Sequence, residues 1–501
     1  MESLAYLLHG FETALSAWNL LYSLIGVSFG MFVGVLPGLG PTAGTALLLP
    51  LTYGMDPVSA VIMLSGIYYG AMYGGTITSV LINVPGESAS LITCMDGYPM
   101  ARQGRAGTAL GVAAIGSFIG GMIALAILIL VGPLVASQAL KFGPPEYFAL
   151  VVVGLSLLIG LMGKSLVRGL IAALFGLTLA FVGMDPLTGS IRFAFGQESL
   201  EDGIEFVALA MGLFGLSEIF MTAEENLNQQ AAEIPKIQNM IPRREEWGPS
   251  LKAILRGSGI GVLLGLVPGT NSVIPTILSY SIEQKTADDP SRFGKGAIEG
   301  VAGPETANNA YAGAALIPLF TLGIPSSPSI AVLLGAFIMH GLTPGPTLMQ
   351  KNPEFVWGVI ASMFIGNAML LVMNLPLANM WAQLTKVPFK IMLPNIMIIM
   401  IIGAYSINSS LFDVGLMLAF GILGYFMKKA EFPLGPVLLT FVLGKIFESS
   451  LMKSLTIFNG NFLGFFQRPI SAALLLLSIT IIAVSIYFGA KNKGIEGDSE
   501  I

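Results

Sequence analysis

Side chains that carry most metal and redox chemistry are nearly absent from this chain. Its 501 residues include one cysteine, Cys94, and two histidines, His9 and His340. This count excludes a disulfide framework and leaves too few ligands for a Cys/His metal site. Charged residues are also scarce: they make up 11% of the chain, against roughly 25% in a soluble domain. We therefore expect no bound cofactor and no nucleic-acid partner.

Apolar residues, in contrast, are abundant and grouped into long runs. They form 54% of the chain, and the runs 106–135 and 470–490 are long enough to cross a bilayer, which takes about 20 helical residues. The chain also has 61 Gly and 29 Pro, a content typical of closely packed or broken membrane helices. We therefore predict an all-α polytopic membrane protein.

Four sequence patterns occur twice, in the same order and 231 to 247 residues apart. The pattern Gly-x-x-Pro-Gly at 34–38 returns at 265–269, and the polar stretch around Pro85 returns around Pro325. We interpret these echoes as an internal duplication. The predicted divisions are an N-terminal periplasmic segment, 1–14; transmembrane repeat 1, 15–221; a cytoplasmic linker, 222–251; transmembrane repeat 2, 252–455; and a C-terminal transmembrane helix with its tail, 456–501.

The positions of Lys and Arg predict how the two repeats are oriented. With loops assigned to alternating faces, 18 of the 24 basic residues fall on one face, which should be cytoplasmic, and five on the other. The loop 163–168 has two basic residues and its counterpart 408–413 has none. We therefore predict two inverted-topology repeats with broken or re-entrant helices, about 11–13 membrane segments, an external N-terminus and a cytoplasmic C-terminus. The sequence leaves open whether the hairpins at Pro37 and Pro268 cross the membrane fully.

Each predicted repeat has a polar break where an apolar run should continue through the membrane. Lipid cannot hydrogen-bond freed backbone groups, so such a break must face protein or a water-filled cavity. A matched pair of breaks is typical of a transporter's binding site, and the N–H groups that start a short helix suit an anion. An ordinary kink or a short external loop is the alternative. The substrate-binding candidates in the breaks and the Pro-Gly hairpins are Gly38, Gly40, Pro85, Gly86, Ser88, Gly269, Thr270, Pro325, Ser326 and Ser327.

A second group of polar residues could bind a coupling cation. Glu305 enters an apolar run together with two amides, and an ionisable residue at membrane depth is a functional candidate. The alternative is a helix start at which the acid and the amides cap free N–H groups. The candidates for Na⁺ or H⁺ binding are Asn83, Glu87, Asn271, Glu305 and Asn309.

Signals for enzymatic or ATP-driven chemistry are weak. The stretch 86–90 has a faint likeness to the serine motif of an intramembrane protease, with two histidines as poor partners for it. Gly163-Lys164-Ser165 is similar to the end of a phosphate-binding loop, but Leu158 stands where its first glycine is required. Since Lys445 is the one basic residue within an apolar run, we expect an anion to be held mainly by backbone N–H groups, hydroxyls and helix dipoles.

The segments 34–40, 84–88, 303–309 and 323–327 resemble the large membrane subunit of the tripartite tricarboxylate transporters, and the likeness covers nearly the whole chain. The resemblance implies a multi-pass permease of the bacterial inner membrane that imports a small di- or tricarboxylate, similar to citrate, by alternating access coupled to Na⁺ or H⁺. It also implies a small four-helix membrane subunit and a periplasmic solute-binding protein as partners, and homodimerisation stays open. A passive anion channel and an intramembrane serine protease are the alternatives.

The inverted arrangement predicts opposite accessibility for two loop positions. A cysteine at Ser410 should react with a membrane-impermeant thiol reagent from the outside, and a cysteine at Ser165 from the cytoplasmic side only, because the two loops correspond but differ in basic residues. Labelling in intact cells and in inverted vesicles measures this. Reaction of both positions from one side would contradict the inverted arrangement.

Overall fold

The computed structural model describes residues 2–36, 38–161, 165–185, 188–226, 235–387 and 389–497. Pro37 of the first predicted hairpin, Lys164, and residues 227–234 of the predicted linker lie outside them. Within the described ranges the regular secondary structure is helical apart from one antiparallel β-hairpin, in which Gly183–Met184 pairs with Ile191–Arg192. The helices are α1 Glu2–Ala14, α2 Ala17–Val35, α3 Gly40–Leu48, α4 Pro57–Ile82, α5 Leu91–Arg102, α6 Ala106–Ala139, α7 Pro144–Leu161, α8 Leu166–Ala180, α9 Phe206–Ala210, α10 Ser217–Asn226, α11 Trp247–Gly265, α12 Val273–Thr286, α13 Glu299–Ala314, α14 Leu316–Leu322, α15 Pro328–Met339, α16 Leu348–Lys351, α17 Pro353–Asn374, α18 Ala378–Leu384, α19 Phe389–Asn408, α20 Leu411–Lys429, α21 Leu434–Ile457, α22 Gly464–Gln467 and α23 Pro469–Gly497.

Many of these helices have the length and composition of membrane spans. In the described residues, eight helices are long and apolar enough to cross a bilayer, counting the continuous stretch Phe206–Glu224 in which a π-helical turn joins α9 to α10. Four shorter apolar helices accompany them. The prediction of an all-α polytopic membrane protein is therefore confirmed.

A row of glycines brings α2 against α4. Gly26, Gly30 and Gly34 lie one helical turn apart, and a Cβ on any of them would collide with the backbone of α4. Their contacts advance in step from Met63 to Ala71, so the two helices run parallel. The chain therefore turns back after α2 and returns through α3 before α4 begins. The first Pro-Gly hairpin is therefore an out-and-back structure.

The second half of the chain contains a helix pair of the same kind. Gly257, Gly261 and Gly265 of α11 contact the backbone or side chains of α13 in register from Gly303 to Tyr311, so this pair is parallel as well. The glycines lie 231 residues after those of α2, which is also the offset between the two Gly-x-x-Pro-Gly patterns. Here α12 returns the chain between α11 and α13. Both hairpins thus have one local construction.

The two halves interlock around α4 and α13. These helices run antiparallel, because Thr76 of α4 hydrogen-bonds Glu305 of α13 while Tyr69 lies beside Gly313. The first half's α6 packs along α13, and the second half's α17 packs along α4, where Tyr73 donates a hydrogen bond to Asn367 over 2.7 Å. Each half therefore completes the packing of the other half's central helix.

Outside this centre, helices from both halves form a second layer. The helices α7 and α8 pack on α21, with α23 against α7, and the α9–α10 stretch packs on α20. Ion pairs join helices of this layer to neighbouring segments: Arg192 of the β-hairpin contacts Glu448 of α21, and Arg468 contacts Glu146 of α7. The N-terminal segment, predicted as a separate piece, forms α1 and packs on α17.

The close α11–α13 contact generates a stability prediction. An alanine at Gly261 would place its Cβ 2.8 Å from Cβ of Ala310 and against the α13 backbone. Overpacking of this kind costs about 1–3 kcal/mol, so Gly261→Ala should lower the free energy of unfolding by that amount. The matched control is Gly259→Ala on the same helix, since no atom lies within 4 Å of the Cβ there. Denaturation in mixed micelles measures both variants, and equal stabilities would contradict the parallel glycine contact.

Candidate functional site

The first polar break is a tight loop that turns back into the protein. The helix α4 ends at Ile82, and Asn83 adopts a left-handed conformation with φ of 57°. The chain then lays Gly86 against the carbonyl of Gly34 and the backbone of Gly75, where a Cβ would not fit. The Ser90 hydroxyl donates to the Glu87 carbonyl over 2.9 Å, and α5 begins at the next residue. Residues 86–88 are therefore held beside the tip of the α2–α3 hairpin.

The second break has a similar course. After α14, Gly323 is left-handed with φ of 71°, and extended Ser327 precedes α15. The Ser327 hydroxyl accepts a hydrogen bond from the Ile330 N–H over 3.4 Å, so it caps the new helix. Pro325 and Ser326 are buried behind this cap, and Ser326 donates to a carbonyl of the same half.

The two breaks and the two hairpin tips meet at one cavity of about 480 Å³. Most of its wall comes from segments that the sequence singles out. The predicted residues that line it are Gly38, Gly40, Pro85, Gly86, Glu87, Ser88, Asn271 and Ser327. The predicted residues outside its lining are Asn83, Gly269, Thr270, Glu305, Asn309, Pro325 and Ser326.

Three helices begin at this cavity. The starts of α3, α12 and α15 contribute residues 38–42, 271–273 and 327–329 to the wall, and the first break adds 85–88. Helix N-termini carry free N–H groups and a positive partial charge, which favours an anion. The hydroxyls of Thr42 and Ser329 lie 2.7 Å apart, so the α3 and α15 starts are directly joined. Asn271 accepts from the N–H groups of Val273 and Ile274 and so acts as the α12 cap.

A positive charge that the sequence did not single out also lies in the cavity wall. Lys428, in the last turn of α20, lines the cavity and forms an ion pair with Glu218 of α10. From the sequence, Lys428 is expected at a helix end, and nothing in its neighbourhood predicts that it lines a cavity. Lys445, the basic residue singled out from the sequence, is exposed on α21 and does not line the cavity.

Comparison with known proteins assigns the chain to a family. The model of the tripartite tricarboxylate transporter TctA family matches residues 20–439. The chain belongs to the TctA family. Two similar proteins of Agrobacterium vitis are described as uncharacterized: a 52.8 kDa protein in the TAR-I ttuC' 3'region, 45% identical over 98% of each chain, and a protein in the TAR-II ttuC' 3'region, 43% identical over 46% of this chain and 96% of its own. No solved structure matches.

Family membership bears on the alternatives. TctA proteins are the large subunits of tripartite tricarboxylate transporters, and this is a transporter family, not an enzyme family. The geometry of this TctA chain also separates the parts of the proposed serine motif. Ser88 lines the cavity, whereas His9 contacts Glu12 near the N-terminus and His340 lies beside Thr52. Neither imidazole is placed to accept a proton from Ser88.

Two of the carboxylates that are buried between the halves of this TctA chain are Glu305 and Glu87. Glu305 is 1% exposed; its two oxygens accept hydrogen bonds from Thr76 over 2.7 Å and from Thr93. Asn309 donates to Ser117 over 2.8 Å and to the Glu305 carbonyl. This network ties α4, α5 and α6 to α13. A buried carboxylate is costly without such partners, so Glu305 is held by its surroundings and does not face the cavity.

Glu87 has a different environment because it reaches the cavity. It is 7% exposed, lines the wall and accepts a hydrogen bond from Nδ2 of Asn308 over 2.6 Å. Within the described structure, Oδ1 of Asn308 has no hydrogen-bond partner. The contact between Glu87 and Asn308 therefore contains carboxylate and amide oxygens that could bind a cation, and it joins the two halves. The sequence does contain Asn308, but the predicted set has only its neighbour Asn309.

Proposed function

We propose that this TctA chain is the permease of a secondary importer for a small di- or tricarboxylate in the bacterial inner membrane. The observation that carries the proposal is one cavity at which helix starts from both halves meet. Several N-termini can each receive one carboxylate group of the same molecule. The cavity of about 480 Å³ falls within the usual range for small-molecule sites, roughly 300–1,000 Å³.

The proposed mechanism is alternating access between inverted repeats. The parallel pairs α2–α4 and α11–α13 support it, since α4 and α13 run in opposite directions. In transporters with such repeats, one unit rocks against the other around a site at the midplane. The cavity extends to Lys428 and Phe432, on the side that the basic residues predict as cytoplasmic. We therefore interpret this conformation as open toward the cytoplasm.

Import of an anion against a negative interior requires a driving force. Each negative charge costs about 2.3 kcal/mol at 100 mV, so a di- or tricarboxylate needs cotransported cations. We assign the Na⁺ or H⁺ site to Glu87 together with Asn308, because Glu87 lines the cavity and Asn308, which donates to it, contains an oxygen without a partner among the described residues. Glu305 and Asn309 belong to the separate buried network with Thr76, Thr93 and Ser117, and Asn83 is exposed at the end of α4.

Two partners belong to the proposal through the family. A tripartite transporter of this type has a small membrane subunit, here proposed with four helices, and a periplasmic binding protein that delivers the substrate. A site made mainly of helix starts should bind weakly, since each contributes about 0.3–1 kcal/mol. Delivery by a binding protein raises the local substrate concentration at the outer mouth and compensates for this weakness.

Counterflow distinguishes this mechanism from a passive anion channel. Proteoliposomes with both membrane subunits, preloaded with unlabelled citrate, should transiently accumulate labelled citrate when the binding protein is present outside. A carrier exchanges the two pools through an occluded state, whereas a channel only dissipates the gradient. Succinate-loaded vesicles test a dicarboxylate in the same way. Dissipation without accumulation for both substrates would contradict the carrier mechanism.

Neutralising Glu87 should weaken cation dependence. We expect Glu87→Gln to raise the Na⁺ or H⁺ concentration for half-maximal uptake at least tenfold, about 1.4 kcal/mol, because the variant loses the charge at the proposed site. The control is Asp96→Asn, a fully buried carboxylate of α5 that accepts from Tyr280 and from the N–H groups of Gly296 and Ala297, away from the cavity. It should lower stability and leave the cation dependence intact. Initial uptake over a range of Na⁺ and pH measures both, and an unchanged profile in Glu87→Gln would remove Glu87 from the site.

A further inference from the structure

We propose that Lys428 and Glu218 form an exchangeable ion pair, in which a substrate carboxylate takes the place of Glu218 on the Lys428 ammonium group. The inference rests on the proposed function and adds the residue that supplies the positive charge. It also assigns a role to Glu218, which is to neutralise Lys428 while the cavity is empty.

The pair is placed for such an exchange. Lys428 and Glu218 come from different helices, both line the cavity, and their side chains are 25% and 22% exposed. Each is therefore in contact with one partner and open to an incoming ligand. Glu218 lies against bare backbone at the hairpin tip, since a Cβ on Gly38 would be 3.0 Å from its Oε1. Movement of the Glu218 side chain away from Lys428 would thus change its contact with Gly38, just before the start of α3.

The neighbouring lysine shows that this placement is specific to one side of α20. Lys429 turns away from the cavity, pairs with Glu224 over 2.7 Å and lies 4.8 Å from the centre of the Tyr425 ring. Neither Lys429 nor Glu224 lines the cavity. Lys428 and Lys429 are thus adjacent in one helical turn, but only Lys428 has access to the cavity.

The charges in the wall explain why an exchange is needed. Among the described residues that line the cavity, Lys428 is the one with a basic side chain, and it is accompanied by the acids Glu87 and Glu218. Carboxylates fixed in the wall repel an anion, and the ammonium group is already occupied. An anion gains its full attraction only when Glu218 leaves Lys428 and turns to water. In the empty carrier, the same pair spares the protein an unpaired charge during the return step, which would be costly at low dielectric.

The first test compares Lys428→Gln with Lys429→Gln. Both membrane subunits are purified together, and binding of citrate and of succinate is measured by titration calorimetry, with uptake in proteoliposomes alongside. We expect Lys428→Gln to weaken binding of the transported acid at least tenfold. Lys429→Gln should stay within about twofold of the unchanged protein, and Lys428→Arg should retain most of the affinity because it keeps the charge.

The second test separates exchange from a merely structural ion pair. Glu218→Gln removes the competitor, so it should bind the anion several-fold more tightly. Its net uptake should nevertheless fall more than its counterflow, because only net uptake requires the empty carrier to return with Lys428 unpaired. A structural role alone would reduce both activities in parallel and would not tighten binding.

A double variant addresses folding. Lys428→Gln combined with Glu218→Gln leaves no unpaired charge, so it should be as stable as the unchanged protein and still bind the anion at least tenfold more weakly. Unchanged affinity in Lys428→Gln or in the double variant, or parallel loss of net uptake and counterflow in Glu218→Gln, would overturn the exchange and leave the carrier function standing. Absence of binding and uptake of both acids in the unchanged protein would overturn the proposed function, and the exchange with it.

Discussion

Backbone that approaches backbone without intervening side chains is the constraint on which this structure depends. A polar loop inside a membrane must have its N–H and C=O groups enclosed by protein or water. The first break meets this demand because Gly86 lies on Gly34 and Gly75, so loop, hairpin tip and helix share one small volume. The glycine rows of α2 and α11 provide the same backbone-to-backbone contact along the helix axes. Where a Cβ is absent, a broken helix can be supported from both sides.

That dependence explains which parts of the site could be predicted. Gly and Pro inside an apolar run interrupt a helix whatever its tertiary surroundings, so the breaks and hairpins could be predicted from the sequence. Eight of the predicted residues line one cavity. The position of Lys428 in the cavity wall could not be predicted, because it results from how α20 packs on α10. The amides at 308 and 309 are adjacent in sequence but about 100° apart around the helix, so only tertiary structure shows which of them meets Glu87.

Several buried polar contacts join the two halves at the centre of the protein. Thr42 hydrogen-bonds Ser329, Tyr73 donates to Asn367, and Glu305 accepts hydrogen bonds from hydroxyl groups of α4 and α5. In an apolar environment, such bonds fix a unique arrangement, since a partner lost without replacement leaves a buried polar group unsatisfied. A rearrangement between the halves must therefore exchange these bonds for others or for water and ligand. Hydroxyl and amide contacts allow this better than a dry apolar interface that is interlocked by shape.

The two breaks differ in how they are anchored, and this difference bears on the proposed coupling. Ser326 and Ser327 bond within their own half, to the Ala315 carbonyl and the Ile330 N–H. Glu87 instead bonds across to Asn308 of the other half. A shift of α13 relative to α4 changes the Glu87 site and leaves the second break's cap intact. A cation bound at Glu87 would thus be sensitive to the relative position of the halves. The anion site also draws its helix starts from both halves, and Ser329 at the α15 start contacts Thr42 of α3, so a movement between the halves would change the anion site as well. Cation and anion would then share one cavity and respond to the same movement.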